Sequence, residues 1–239
     1  MLNIAHRGFS GCYPENTMLA FRQAIEAGCN GIEFDVHLSK DGEAVIIHDE
    51  TLERTTDGTG LVGEKTLAQL QTLNAAKLHP KTTAFASIPT LREYFEYIAA
   101  YPHIISNIEL KTGVFTYDGI EQAVYRLMRE FEVVDSCIIS SFNHESVLRM
   151  KKIDPTVTCG LLIDAWLIHP EQYVKELGIE CYHPAAYCLR PEIVQQLHNA
   201  GIRVNPWFGS IQMNYQSYID MHVDALITNY PDTVRKLLS

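Results

Sequence analysis

The chain has 239 residues, 46% of them hydrophobic, with 29 acidic against 19 basic side chains and a formal charge of -10. That size and apolar content suit one compact domain over residues 1–239, since a single α/β barrel commonly takes about 250 residues. The acidic balance argues against a nucleic-acid backbone as partner, because no basic stripe exists to displace counterions, and an anionic substrate would need a strictly local positive site.

At the N-terminus, MLNIAHRGF lacks the basic and apolar regions of a secretory signal, which predicts a cytoplasmic protein, and it runs straight into a first strand at 3-NIA-5. A helix follows, with Asn16 and Thr17 as candidate caps and Gly28 as its stop. The second strand is 31-GIEFDVHL-38, trailed by a short strand-like piece, 44-AVIIH-48. From Asp49 to about Pro89 the rhythm breaks: 57-DGTGLVGEK-65 and the amphipathic 67-LAQLQTL-73 precede the helix 90-TLREYFEYIAA-100. An insertion of this length at a strand's C-terminal end is more often functional than not, and it would sit over a barrel mouth.

Strands then recur at 104-IISNIEL-110, 137-CIISS-141, 158-TCGLLI-163, 179-IECYH-183, 202-IRVNP-206 and 225-ALIT-228. Between them lie stretches of helical period, such as Ile120, Val124, Leu127, Met128 and Phe131, and one opened by Pro191 and closed by Gly201. Eight strand-then-helix repeats predict a (β/α)8 TIM barrel with a small insertion between strand 2 and helix 2. A doubly wound open sheet is the competing architecture, but no glycine-rich dinucleotide turn follows the first strand. No apolar stretch reaches the roughly 18 residues of a membrane-spanning helix. The six cysteines form no CxxC pair and read as reduced, buried thiols.

In an extended second strand Glu33, Asp35 and His37 share one face, and Ile32, Phe34 and Val36 the other. The apolar face belongs against helices, which turns the acidic face into the lumen or its rim. Unpaired carboxylates there cost several kcal/mol each. Glu109 ends the next strand, with Asn107 and Lys111 on its face. Three carboxylates from neighbouring strand ends make a hard oxygen site suited to Mg²⁺ or Ca²⁺ rather than zinc. The alternative is an ordinary ion network in which these acids pair with Arg7, Lys111 and His37.

His6 ends the first strand and His48 the strand-like 44–48 piece, so both are placed at the catalytic ends of barrel strands, where imidazoles serve as general acid and base. Taken singly, each also reads as a rim histidine with satisfied hydrogen bonds. Arg7 offers a fork of donors to a phosphate and Lys111 a point charge. Trp207, Phe208, Phe142 and Tyr187 are either packing or pocket wall; Trp207, following the seventh strand, is the one assigned to the pocket. His183 is either at the mouth or a plain strand end.

The run 5-AHRGFSGCYPENTMLAFRQAIEAGCNGIEFDVHLSKDGEAVIIHDETLERTTDGTG-60 carries HRG, PENT, ExD and HD in an order and spacing that resemble the glycerophosphodiester phosphodiesterase family. Echoes continue in 108-IELK-111, 140-SSFN-143, 204-VNPW-207 and 225-ALITNYPD-232, so the resemblance spans essentially the whole chain. It implies metal-dependent hydrolysis of a glycerophosphodiester, such as glycerophosphocholine or glycerophosphoethanolamine, to sn-glycerol 3-phosphate and an alcohol. Carried over position by position, it makes Glu33, Asp35 and Glu109 the ligands of a divalent metal ion, His6 and His48 the acid–base pair, and Arg7 and Lys111 the phosphate contacts. Residues 49–87 match the insertion that caps such barrels. The family follows its late tryptophan with a Thr-Val-Asn-like run, whereas Trp207 here leads into Phe208, Gly209 and Ser210, which leaves that wall and the leaving-group preference open.

Two other functions fit the same residues: a related barrel phosphodiesterase acting on lysophospholipid or phosphoinositol headgroups, and a non-catalytic barrel that binds a phosphorylated metabolite. No basic amphipathic helix offers a membrane anchor. The choice of water or the substrate's own glycerol hydroxyl as attacking oxygen stays open, as does oligomeric state, a homo-oligomer included.

Overall fold

The computed structural model describes residues 1–209 and 214–239, and within them strands and helices alternate along the chain. The strands are β1 (Leu2–His6), β2 (Gly31–Leu38), β3 (Ala44–Ile46), β4 (Ile105–Leu110), β5 (Cys137–Ser141), β6 (Thr158–Ile163), β7 (Cys181–Pro184), β8 (Arg203–Val204) and β9 (Ala225–Thr228). The α-helices are α1 (Met18–Glu26), α2 (Leu67–Gln71), α3 (Leu91–Ile98), α4 (Ile120–Glu130), α5 (His144–Ile153), α6 (Pro170–Glu176), α7 (Pro191–Asn199), α8 (Tyr215–Asp220) and α9 (Pro231–Leu238).

All strands but β3 pair in parallel in the order β8-β7-β6-β5-β4-β2-β1-β9. The two ends of that path meet: Asp224 N–H donates to the Val204 carbonyl at 2.9 Å, Ile227 N–H to Pro206 at 3.0 Å and Phe208 N–H to Ile227 at 3.2 Å. The result is the expected (β/α)8 barrel, drawn shut on its short β8 side by irregular backbone rather than by a full ladder.

The strand-like piece at 44–48 does not enter the ring, contrary to the placement of His48 on a barrel strand. β3 is the antiparallel arm of a hairpin with β2, pairing Val36 with Ile46 and Leu38 with Ala44. Since Val36 already pairs with Leu110 of β4, β3 occupies the opposite edge of β2, the edge that β1 holds only as far as Glu33. The hairpin therefore continues the ladder above His6, and this brings His48 over the end of β1.

Alternation sorts the side chains. Ile32, Phe34 and Val36 face outward into the main core, where Phe34 packs against Tyr94 of α3 at 4.3 Å and Phe21 of α1 at 5.7 Å between ring centroids. Losing such a buried aromatic costs about 3–5 kcal/mol, so this contact fixes which face of β2 points inward. The residues from 49 to 87 follow the hairpin and fold around a separate small core that includes Leu52, Val62 and Leu70 beside Val45 and Ile47 of the hairpin. Thr66 caps α2 in a capping box with Gln69.

Two details differ from the sequence reading. Thr17 alone caps α1, accepting from Ala20 N–H, while Asn16 turns its side chain elsewhere. Five of the six free cysteines are buried as expected, but Cys12 is exposed.

Candidate active site

The inward face of β2 and β4 carries the charge. Asp35 lies in register with Glu109 and Glu33 with Asn107. One carboxylate oxygen from each of Glu33, Asp35 and Glu109 falls within 4.8 Å of the others, and all three residues are buried.

Among the described residues, two cationic side chains, Lys111 and Arg7, meet this trio directly. Lys111 Nζ lies 2.9 Å from Glu109 and 3.8 Å from Asp35, and Arg7 Nε lies 3.4 Å from Asp35. Arg7 N–H donates to Glu33 at 3.0 Å, and Asn16 Nδ2 donates to Asp35 at 2.8 Å. Holding Arg7 there takes a left-handed backbone, φ 54°, followed by Gly8 at φ 75°, where any Cβ would meet the Ala20 backbone at 2.7 Å.

Burial, then the charges of Asp35 and Glu109, pushes Glu33 well above the usual carboxylate range. Burial likewise raises Glu109 against the pull of Lys111. At Asp35 burial is outweighed by His48, Arg7 and Lys111, which hold it low. Oδ1 of Asp35 has no hydrogen-bond partner among the described residues. Three carboxylates that outnumber the two cations beside them, one with an oxygen that accepts no hydrogen bond, are an oxygen donor set that fits a hard divalent cation.

The imidazoles flank this cluster. His6 Nδ1 lies 2.6 Å from Asn229 Oδ1, and Asn229 Nδ2 donates to the Gly209 carbonyl at 2.8 Å, so the amide must present its oxygen to His6. Nδ1 is then the proton carrier, and Nε2, 3.8 Å from Glu33, keeps its lone pair. Burial, followed by Arg7, lowers His6 to about 3, so it is neutral in ordinary conditions. His48 donates from Nδ1 to Asp49 at 2.5 Å, leaving Nε2 3.4 Å from Lys111. His37, buried on the acidic face, pairs with no carboxylate: Nε2 donates to the His48 carbonyl at 3.1 Å and Nδ1 accepts from the Tyr117 hydroxyl at 3.0 Å, which steadies the His48 backbone.

A cavity of about 120 Å³ opens here, lined by His6, Arg7, Glu33, His48, Asn107 and Glu109 on one side and Phe142, Leu162, Trp207, Gly209 and Ile227 on the other. Asp35 and Lys111 are not in its wall but contact residues that are. Trp207 meets Phe142 edge to face at 5.9 Å. Phe208 instead packs against Tyr215 and Tyr218, and Tyr187 bonds Asp164 away from the cavity. His183 is fully buried, Nε2 bonded to Asn205, its ring over Gly160, and so is not at the mouth. Ser210 lies outside the described residues.

Position gave Asn16 the role of a helix cap rather than of a partner of Asp35, and did not single out Asn229, Glu15 or Arg54. Asn16, Glu15 and Asn229 fall inside 14-PENT-17 and 225-ALITNYPD-232, stretches that carried the resemblance without a site role attached. Asn107 was placed on the right face, but not as a cavity residue whose amide oxygen and nitrogen both lack partners among the described residues.

Residues 6–233 match the model of the glycerophosphoryl diester phosphodiesterase family. The chain is 39% identical over 237 residues, 99% of its length and 97% of the relative's, to a glycerophosphodiester phosphodiesterase of Caldanaerobacter subterraneus subsp. tengcongensis. It is 35% identical to one from Bacillus altitudinis, covering 98% of this chain and 96% of that protein. Among solved structures it resembles an Oleispira antarctica phosphodiesterase in complex with the product sn-glycerol-3-phosphate, with a TM-score of 0.89 and 29% identity over 98% of this chain and 95% of the other. The chain belongs to the glycerophosphoryl diester phosphodiesterase family and is a phosphoric diester hydrolase of that kind.

Proposed function

We propose that the enzyme cleaves small glycerophosphodiesters, glycerophosphocholine and glycerophosphoethanolamine among them, to sn-glycerol 3-phosphate and an alcohol, with His6 and His48 as the proton-transfer pair. Glu33, Asp35 and Glu109 would hold a divalent ion, Mg²⁺ or Ca²⁺. When bound, such an ion supplies positive charge against the phosphodiester. The observation that carries this reading is the excess of buried carboxylate over cation, set directly beside two imidazoles whose Nδ1 atoms are held by Asn229 and Asp49 and whose Nε2 atoms are left for the cavity.

His6 is the base in this scheme: Asn229 keeps the ring proton on Nδ1, which leaves the Nε2 lone pair to take a proton from the attacking oxygen. His48 is the acid in this scheme: Asp49 holds Nδ1–H, so Nε2 is the atom turned to the cavity, and a proton carried there passes to the departing alkoxide. Arg7 in the cavity wall and Lys111 behind it, against Glu109, neutralise the phosphoryl charge, and Trp207 forms the opposite wall. Residues 1–239 act as one catalytic domain, with 49–87 as its cap.

The test is release of glycerol 3-phosphate from glycerophosphocholine and glycerophosphoethanolamine, read by a coupled assay with Mg²⁺, Ca²⁺, Mn²⁺ or excess chelator. Full turnover in chelator would remove the ion from this account. A second reading, action on lysophospholipids, is favoured by the exposed Val114, Trp166 and Ile168 on the loops after β4 and β6. Lysophosphatidylcholine in the same assay decides between them: faster cleavage of the acylated substrate would favour the second.

A further inference from the structure

The backbone of His48 is held to the barrel by His37, but Nδ1 of its ring is held by Asp49, outside the barrel. His48 lies beyond the hairpin, at the start of a segment whose apolar core is a cluster separate from the one packed around the barrel. For the Asp49 side chain that holds the ring, the connection back to the barrel is polar and, among the described residues, passes through Arg54. Arg54 Nε donates to Asp49 Oδ2 at 2.5 Å and Nη2 to Asp49 Oδ1 at 3.0 Å, while Nη1 and Nη2 donate to Glu15 at 2.9 and 2.8 Å. Glu15 belongs to the loop between β1 and α1, and its Oε1 also accepts from Arg7 Nη1 at 2.9 Å. A guanidinium suits this place because its rigid fork addresses two carboxylates at once, one from each side of the mouth.

We propose that Arg54 is a positioning residue, clamping the His48–Asp49 pair of the insertion onto Glu15 so that His48 keeps Nδ1–H on Asp49 and turns Nε2 to the cavity. The kinetic part of this inference rests on the reading of His48 as a proton donor; the structural part does not. Without Arg54, Asp49 loses both its second partner and its tie to the barrel, and the imidazole is free to swing or to exchange tautomers. Lysine replaces it only in part, since an ammonium is a compact point charge without the planar fork that meets both carboxylates through parallel hydrogen bonds.

Two measurements test the clamp separately from the chemistry. In ¹⁵N-histidine NMR the native enzyme should show Nδ1 of His48 protonated and hydrogen-bonded, and Arg54→Ala should lose that signature, with Arg54→Lys intermediate; an unchanged His48 Nδ1 signal in both variants would overturn the proposal. In steady-state kinetics Arg54→Ala should lower kcat about 10- to 100-fold with little change in KM, the loss expected of a misplaced catalytic group. The same change in a His48→Ala background should cost less than about 2-fold, because its route of action is already gone. Equal losses in both backgrounds would show that Arg54 acts elsewhere and would overturn the clamp. If His48→Ala itself turns over normally while the NMR signature still depends on Arg54, the clamp stands and the assignment of His48 falls.

Discussion

The two sides of the catalytic cavity differ in kind. Towards β1, β2, β4 and the hairpin it presents His6, Arg7, Glu33, His48 and Glu109; towards β5–β9 its wall is Phe142, Leu162, Trp207, Gly209 and Ile227, none of which titrates. His6 and His183 bring the difference to a single residue type. Burial acts first on both and lowers each to about 3. Yet His6 keeps Nε2 open to the cavity beside Glu33, whereas His183 bonds Nε2 to Asn205 and fills the space above Gly160. A strongly shifted histidine is therefore not in itself a functional one; what its second nitrogen faces decides.

The largest effects should come from emptying the charged side of its compensation. Glu33→Ala, or chelation, is expected to abolish turnover, and an ion at about 100 times its Kd should stabilise the fold by about 2.7 kcal/mol. For a chain of this length that corresponds to a rise in Tm of about 5–10 °C. The sign of its pH dependence follows from Glu33, whose folded pKa is raised by burial and by its carboxylate neighbours. Such a group stabilises the ion-free fold while protonated and loses that contribution as pH rises through its folded pKa. The proton also competes with the ion, so the ion-induced rise in Tm should be small near about pH 5 and larger near about pH 8. Thermal unfolding with and without Mg²⁺ or Ca²⁺ at the two values checks this; a pH-independent increment would mean the ion sits elsewhere.

Next in size are the histidines. His6→Ala and His48→Ala should each lower kcat by about 10²–10⁴, or roughly 3–5 kcal/mol of barrier. Their roles separate with the leaving group: a p-nitrophenyl diester, which needs no proton on departure, should restore much of the His48→Ala activity and little of His6→Ala. His183→Gln on the neutral side should leave kcat within about 2-fold. Should His183→Gln fall as far as His6→Ala, the contrast between the two sides would be wrong.

Most of the ring was legible in the chain because parallel strands and helices leave period and caps behind. Pro191, Gly28 and Gly201 mark ends that the structure has, and the face shared by Glu33 and Asp35 follows from a period of two. What could not be read was which edge a strand pairs with. The 44–46 stretch has the composition of a strand, but its antiparallel return on β2 is set by Val36 already being engaged with Leu110, a fact of tertiary pairing. The same holds for Asn229, 223 positions from the imidazole it orients. Side chains that act through another residue carry no local pattern; Arg54, between Glu15 and Asp49, is the plainest instance.

The smallest expected effect sharpens the neutral side. Phe142 is 43% exposed and meets Trp207 edge to face at an interplanar angle of 82°. An aromatic pair of this kind contributes about 0.5–1.5 kcal/mol beyond its buried area. No atom of its side chain donates, accepts or carries charge, so it has no means of favouring the transition state over the bound substrate except by contact with a part of the substrate that does not react. Phe142→Ala should therefore raise KM by about 2- to 10-fold and leave kcat in place, the signature of lost uniform binding. The size of the shift should vary with the alcohol, because the wall it forms with Trp207 lies across the cavity from Arg7, Glu33 and Glu109. Measuring KM and kcat for glycerophosphocholine and glycerophosphoethanolamine side by side reads both parts. A fall in kcat at constant KM would bring the aromatic wall into the chemical step and erase the division between a side that reacts and a side that only receives.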